Sequence, residues 1–218
     1  MKINLYNRLK KQLHRNIASC QDELVKIIYT IFPEAVFHGG TAIWRCYGGN
    51  RFSEDIDLYY YDKKDLVKNL KEGLQAKNLD LIKFKKTDNV VFAKITDKNV
   101  EVRLEIRLLE RNNQIFKNKT IKQYQNIDGS SMTVFCLSPE ELLLEKALAY
   151  KNRMLIRDVY DVYYLTSLVN LSAEQKRKFK ETIDSWDTPE DEKNLKAIVY
   201  LGAIPSFSQL LSEIKRKL

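Results

Sequence analysis

Two carboxylates spaced two apart, Asp55 and Asp57, follow a glycine pair and a polar loop in the run His38-Gly39-Gly40-Thr41-Ala42 through Arg51-Phe52-Ser53-Glu54-Asp55-Ile56-Asp57. The β-branched and aromatic content of Ile56-Asp57-Leu58-Tyr59-Tyr60 predicts a strand, which puts both aspartates on one face and Ile56 and Leu58 on the other. Like charges at that range raise each other's pKa unless a cation lies between them. Magnesium suits the pair best, with manganese the alternative, because such ions are held by one or two carboxylates together with substrate phosphates. The glycines supply the second half of a phosphate site. Gly39 and Gly40 permit a tight turn, and a helix opening at Thr41 aims its first amides at an anion. Gly40 and Thr41 would then hold terminal phosphates through backbone amide and hydroxyl, and Ser53 or Arg51 would steady them. Each ingredient is common by itself, and a turn before a solvated strand end is the bland account. The order, strand, glycine turn, short helix, then paired carboxylates, is what brings an anion cradle and an ion site together.

The elements that must position these residues follow from hydrophobic periodicity. Leu5, Leu9, Leu13, Ile17, Leu24, Ile27, Ile28 and Ile31 predict one or two amphipathic helices over residues 3–30. A short strand over 35–37 leads into the glycines, a helix over 41–47 closes at Gly48-Gly49-Asn50, and residues 63–77 read as a helix. Three strands are predicted over 79–86, 89–96 and 100–109, the last two joined by the turn Asp97-Lys98-Asn99. In the third, Val102, Leu104, Ile106 and Leu108 alternate with Glu101, Arg103, Glu105 and Arg107. Its charged face is expected beside the aspartate strand, and Glu105 is the candidate third carboxylate. A solvated sheet face has the same alternation. Residues 110–131 are polar and read as a loop or connecting strand, and 132–137 as a last strand. Ser138-Pro139-Glu140-Glu141 is a capping-box signature for a helix to about Asn152. Further helices are predicted over 157–169, 172–183, 188–201 and 206–217.

A second charged set lies in the helical part. Lys146 and Arg153, seven apart, share one helix face, and Asp158 and Asp161, three apart, share another. From these residues by themselves, surface ion pairing between consecutive helices is the preferred account.

Size and composition bound what this chemistry serves. A chain of 218 residues buries a real core as one large domain or two small ones. The net charge is +8, and residues 1–137 carry 24 Lys and Arg against 16 acids, whereas 138–218 carry 13 against 13. The excess therefore sits with the carboxylates and suggests a polyanionic partner, although a lysine-rich bias explains it equally well. Cys20, Cys46 and Cys136 are odd in number and lack a Cys-x-x-Cys, which argues against a zinc site or disulfide scaffold and for three buried small hydrophobes. Residues 1–15 read as an amphipathic helix and not a signal peptide, and no apolar run reaches the length of a membrane span, so a soluble, cytoplasmic protein is expected.

The runs Gly-Gly-Thr-Ala-x-x-Arg and Arg-x-Ser-Glu-Asp-Ile-Asp-Leu, with Glu-Lys-x-x-Ala and Arg-Asp-x-Tyr-Asp-x-Tyr-x-Leu, resemble the AbiEii/AbiGii-type nucleotidyltransferase toxins of the polymerase-β-like superfamily. The likeness covers about residues 30–168. It implies an α+β fold: a mixed-sheet nucleotidyltransferase core with flanking helices over 1–137, then a C-terminal helical bundle over 138–218, with the site in a cleft between them. It also implies that Gly40 and Thr41 bind phosphate, and that Ser53, Asp55 and Asp57 form the nucleotide and metal site. Lys146 then contacts nucleotide phosphates, with Arg153 beside it, and Asp158 or Asp161 completes the site. The implied reaction is magnesium-dependent transfer of a nucleotide from a nucleoside triphosphate to a hydroxyl, on RNA such as a tRNA 3′ end, by the toxin of a toxin–antitoxin or abortive-infection pair whose partner is a cognate antitoxin. ATP, GTP, CTP and UTP are equally open as donors. The alternatives are a small-molecule or protein acceptor, or a non-catalytic RNA-binding module that keeps the fold.

Overall fold

A computed structural model describes residues 4–62 and 64–218; Met1–Ile3 and Lys63, on which the predicted helices over 3–30 and 63–77 begin, lie outside the described residues. The chain divides into two compact units, Met1–Gly48 with Phe52–Leu137 and Gly49–Arg51 with Ser138–Leu218.

In the first unit the N-terminal periodicity resolves into two helices, α1 (Leu5–Arg8) and α2 (Gln12–Ile31). The chain breaks between them because Leu9 is fully buried in an extended conformation and its carbonyl accepts a hydrogen bond from Arg15 Nε at 2.8 Å. Ile17, Leu24, Val25 and Ile28 form the buried stripe of α2, at the three-and-four spacing that puts side chains on one helix face. Then follow β1 (Val36–His38), α3 (Gly39–Tyr47), β2 (Ile56–Tyr60), α4 (Leu66–Gln75), β3 (Asp80–Lys86), β4 (Val90–Thr96) and β5 (Glu101–Leu108). Next are α5 (Gln114–Asn118), β6 (Thr120–Gln125) and β7 (Ser131–Cys136). Among the described residues these strands form one seven-stranded mixed sheet in the order β3-β4-β5-β2-β1-β7-β6. β2 lies parallel to β5 and antiparallel to β1, and β1 runs parallel to β7. Ile56, Leu58, Leu104 and Ile106 are fully buried, so the apolar faces of β2 and β5 point into one core.

Two local expectations are corrected here. Helix α3 opens at Gly39, two residues before the expected start, so the glycine pair is its first turn. Residues 110–131, expected as a loop or connecting strand, hold the edge strand β6, of which only Tyr124 is buried, and a short helix that was not expected.

The second unit is helical: α6 (Pro139–Arg153), α7 (Ile156–Leu165), α8 (Ala173–Asp184), a 3-10 turn (Glu192–Asn194), α9 (Leu195–Ile198) and α10 (Phe207–Lys217). The capping box of α6 is complete, with Glu141 N–H donating to Ser138 Oγ at 3.2 Å and Ser138 N–H to Glu141 Oε2 at 3.1 Å. The helix expected over 188–201 does not form as such. Its acids serve other elements: Asp191 accepts from Ile156 N–H at 2.7 Å and Glu192 from Phe207 N–H at 2.8 Å, while Val199 makes a β-bridge with Arg51. Those contacts confine the helical stretch to the few residues of the 3-10 turn and α9.

Among the described residues no helix is long and apolar enough to cross a membrane. The three cysteines are free, Cys20 and Cys136 buried as expected and Cys46 only half-buried.

Candidate active site

Asp55 and Asp57 flank the buried Ile56 at the start of β2, and the parallel register sets Glu105 of β5 directly beside Asp57. In the antiparallel register on the other side, Asp57 faces His38, the residue before α3. Gly39 follows with φ +70, a conformation that side-chain-bearing residues rarely adopt. A Cβ at this position would overlap the Asp57 Oδ2 atom and lie 3.0 Å from Asp57 Cγ. The absence of a side chain at residue 39 is therefore what lets the Asp57 carboxylate sit against the first turn of α3.

The loop that delivers the aspartates is held from several sides. Gln21 Nε2 of α2 donates to the carbonyls of Ser53 at 3.0 Å and Glu54 at 2.9 Å, and Thr41 Oγ1 donates to the carbonyl of Asp55. Phe52 stacks on His14 at 4.0 Å and meets Trp44 edge-on at 4.9 Å. Helix α3 is anchored by Arg45, which is fully buried. Its guanidinium donates to Asp22 Oδ1 at 2.9 Å, to the carbonyl of Ala18 at 3.0 Å and to the carbonyl of Gln125 at 2.9 Å, and it lies over Trp44 and Tyr124. A buried charge is tolerable only with such pairing. Gln21, Asp22 and Arg45 are positioning residues that the sequence reading did not single out. Arg45 stood in the recognised run, but its polarity in an otherwise apolar helix segment was the signal of a buried partner.

Thr41 is fully buried and its hydroxyl is committed to the Asp55 carbonyl, so the side chain shapes the loop; what α3 offers an anion is the backbone amides of its first turn. Ser53 is buried, with its carbonyl taken by Gln21.

Asp55 has a partner that the sequence reading passed over. Arg103 of β5 grips both carboxylate oxygens, Nε to Oδ1 at 2.6 Å and Nη2 to Oδ2 at 2.5 Å. Glu105, one alternation further along β5, accepts from Arg107 Nε at 3.0 Å. The strict Glu-Arg-Glu-Arg alternation carried this information, since residue 103 falls in register beside residue 55 once residue 105 lies beside residue 57.

Among the described residues no group of three or more His, Cys, Asp or Glu side chains is gathered closely enough to hold a metal ion as they stand. The donor set nonetheless fits a hard divalent cation: carboxylate oxygens from adjacent strands, one of them seated against a helix N-terminus by a glycine cradle.

The remaining candidates belong to the helical unit, and they form a buried lattice instead of the expected surface pairing. Asp158 and Asp161 of α7 are 0 % and 1 % exposed. Lys146 Nζ of α6 reaches Asp161 at 2.8 Å and Asp158 at 3.3 Å. Arg153 grips Asp158 with two bonds of 2.7 Å, and Arg51 grips Asp161 at 2.6 and 2.5 Å. Burial alone would push the Asp161 carboxyl up, but the charges and hydrogen bonds of Arg51 and Lys146 outweigh it and hold the group below its ordinary value. Arg51 and Lys146, expected on nucleotide phosphate, thus already have carboxylate partners, and the Lys146 ammonium is almost wholly enclosed.

A mixed sheet with helices about it, presenting paired aspartates on a central strand beside the amino end of a short helix, is the frame of a nucleotidyltransferase. The family model for the AbiEii nucleotidyl transferase toxin of type IV toxin–antitoxin systems matches residues 27–201, and the chain belongs to that family. Among solved structures, JHP933 from Helicobacter pylori is similar at 21% identity and TM-score 0.63 over 95% of this chain and 90% of that one. A second H. pylori protein, described as a candidate nucleotidyltransferase, is similar at 21% identity and TM-score 0.62 over 96% and 94%. Both share the fold. No curated protein matches the sequence.

Proposed function

We propose that this nucleotidyltransferase moves a nucleoside monophosphate from a nucleoside triphosphate to a hydroxyl of RNA, with magnesium held by Asp55 and Asp57, as the toxin of a toxin–antitoxin pair. The observation that carries the reading is the seat of the Asp57 carboxylate against Gly39, beside Asp55 on one strand and Glu105 on the next. When bound, the divalent ion supplies charge neutralisation on the triphosphate and a lower pKa for the attacking hydroxyl. The first-turn amides of α3, from Gly39 and Gly40 onward, orient the terminal phosphates. The acceptor oxygen bonds to the α-phosphorus, the α–β phosphoanhydride bond breaks, and pyrophosphate leaves with the electron pair. Glu105, in register beside Asp57, is the third carboxylate of this reading, and the hydroxyl proton is released to solvent.

An RNA acceptor is supported by the positive balance, which is confined to residues 1–137, and by a sheet face in which Arg103, Lys94 and Lys83 follow one another across β5, β4 and β3 from the Asp55 side. The family description supports the toxin role and a cognate antitoxin. The test is incubation with each labelled ribonucleoside triphosphate, magnesium and total RNA. Label in a discrete RNA band names donor and acceptor together; label confined to protein or to small molecules overturns the RNA acceptor.

A further inference from the structure

The charged face of β5 pairs its acids and bases in two different ways. Glu105 and Arg107 satisfy each other along the strand, and Glu101 pairs with Lys94 on β4 at 2.5 Å. Arg103 instead reaches across to the strand of the candidate ion ligands, and its fork covers both oxygens of Asp55. Stability does not account for this contact. The Arg103 side chain is 48 % exposed and that of Asp55 24 %, and ion pairs so open to water contribute little to folding. Sheet geometry, however, fixes the neighbourhood: Ile56 lies opposite Leu104 and Asp57 opposite Glu105, so the backbone keeps Arg103 next to Asp55 whatever its guanidinium binds.

A guanidinium that fits a carboxylate with two parallel bonds fits a phosphate the same way. The two cations, Arg103 and a divalent ion, compete for the same carboxylate and repel each other across it. A triphosphate entering with the ion gives the displaced fork a new anion at the same place.

We infer that Arg103 is a positioning residue that holds Asp55 as an ion pair in the nucleotide-free enzyme and hands its fork to the nucleotide phosphates when the metal–nucleotide arrives, which makes ion and nucleotide bind cooperatively. This rests on the nucleotidyl-transfer reading of the Asp55 and Asp57 site and adds to it a device against loading the ion alone. Coupling between two ligands of this kind is reciprocal and typically about 5- to 150-fold.

The test measures Mn2+ binding to the full-length protein by electron paramagnetic resonance, alone and with each of the four ribonucleoside triphosphates, for the wild type and for Arg103→Gln, Arg103→Lys and Asp55→Asn. Arg103→Gln is expected to bind Mn2+ alone about tenfold more tightly than the wild type, to lose most of the enhancement that nucleotide gives, and to raise KM for the triphosphate. Arg103→Lys keeps a charge but not the fork and is expected to fall between them. Mn2+ affinity in Arg103→Gln equal to or weaker than wild type, with Asp55→Asn still abolishing ion binding, overturns the hand-over and leaves the ion site standing. Absence of Mn2+ binding in every protein, with and without nucleotide, overturns the ion site and the hand-over together.

Discussion

Adding one methyl group at Gly39 tests the site more sharply than removing a carboxylate. In Gly39→Ala the backbone must keep φ +70, which costs a residue with a Cβ about 1–2 kcal/mol. The new Cβ also overlaps Asp57 Oδ2, and forcing atoms into a filled space adds about 1–3 kcal/mol. Loss of unfolded-chain freedom returns about 0.4–1 kcal/mol. The net expectation is about 3 kcal/mol, or a fall in melting temperature of about 10 °C for a chain of this size. Gly202 is the control: it has φ +88 and nothing within 4 Å of a built Cβ, so Gly202→Ala bears strain without overlap and should cost about 1 kcal/mol. Transfer should separate the pair further, because displacing a catalytic group by about 1 Å costs on the order of a hundredfold. Thermal melts and labelled-nucleotide transfer on both variants provide the assay. Equal melts and equal transfer in Gly39→Ala and Gly202→Ala would refute the idea that the glycine cradle builds the site.

Other outcomes follow from the same geometry. Asp55→Asn should abolish transfer while moving the urea midpoint by less than about 1 kcal/mol equivalent, since its pair with Arg103 is solvent-exposed; normal transfer would remove Asp55 from the mechanism. Asp161→Ala should destabilise the protein by about 3–5 kcal/mol in urea titration, because Arg51 and Lys146 are left enclosed without that partner. The folded-state pKa of Asp161 lies below its unfolded value, so its contribution is complete above the unfolded pKa and lost as pH falls through the folded one. The stability gap between wild type and Asp161→Asn should therefore be constant above about pH 5 and narrow progressively as pH falls below about 4. Ser138→Ala should cost about 1 kcal/mol through loss of the α6 cap, read as a lower urea midpoint with transfer unchanged.

What could be read from residue types depended on whether the signal was local. Alternation in β5, the capping box at Ser138 and the β-branched content of β2 are local, and each formed within one or two residues of where it was expected. Strand β6 carries one buried residue and gave no period, and the acids after Pro189 looked like a helix start although they serve the ends of α7 and α10, elements distant in sequence. The site divides in the same way. Asp55, Asp57 and the glycines are candidates by spacing alone, whereas the Arg103 fork on Asp55 spans 48 residues and the Arg51 fork on Asp161 spans 110. The Glu-Arg alternation of β5 points to the first pairing only once the register of β5 against β2 is known, and the second is decided by burial within the helical unit.

The parallel pairing of β1 with β7 also orders events during synthesis. Val36 meets Phe135, about a hundred residues later, whereas β2 and β5 are complete once Leu108 has been made. At about 5–20 residues per second, one edge of β1 stays open on the order of seconds after both carboxylate strands exist. Helix α3, which carries the Gly39 cradle, leaves directly from the end of that strand. A nascent chain thus holds its acidic residues and the Gly39 turn well before it holds β7, the strand that pairs with the far edge of β1, and a chain cut before Ser131 is expected to be inert in transfer.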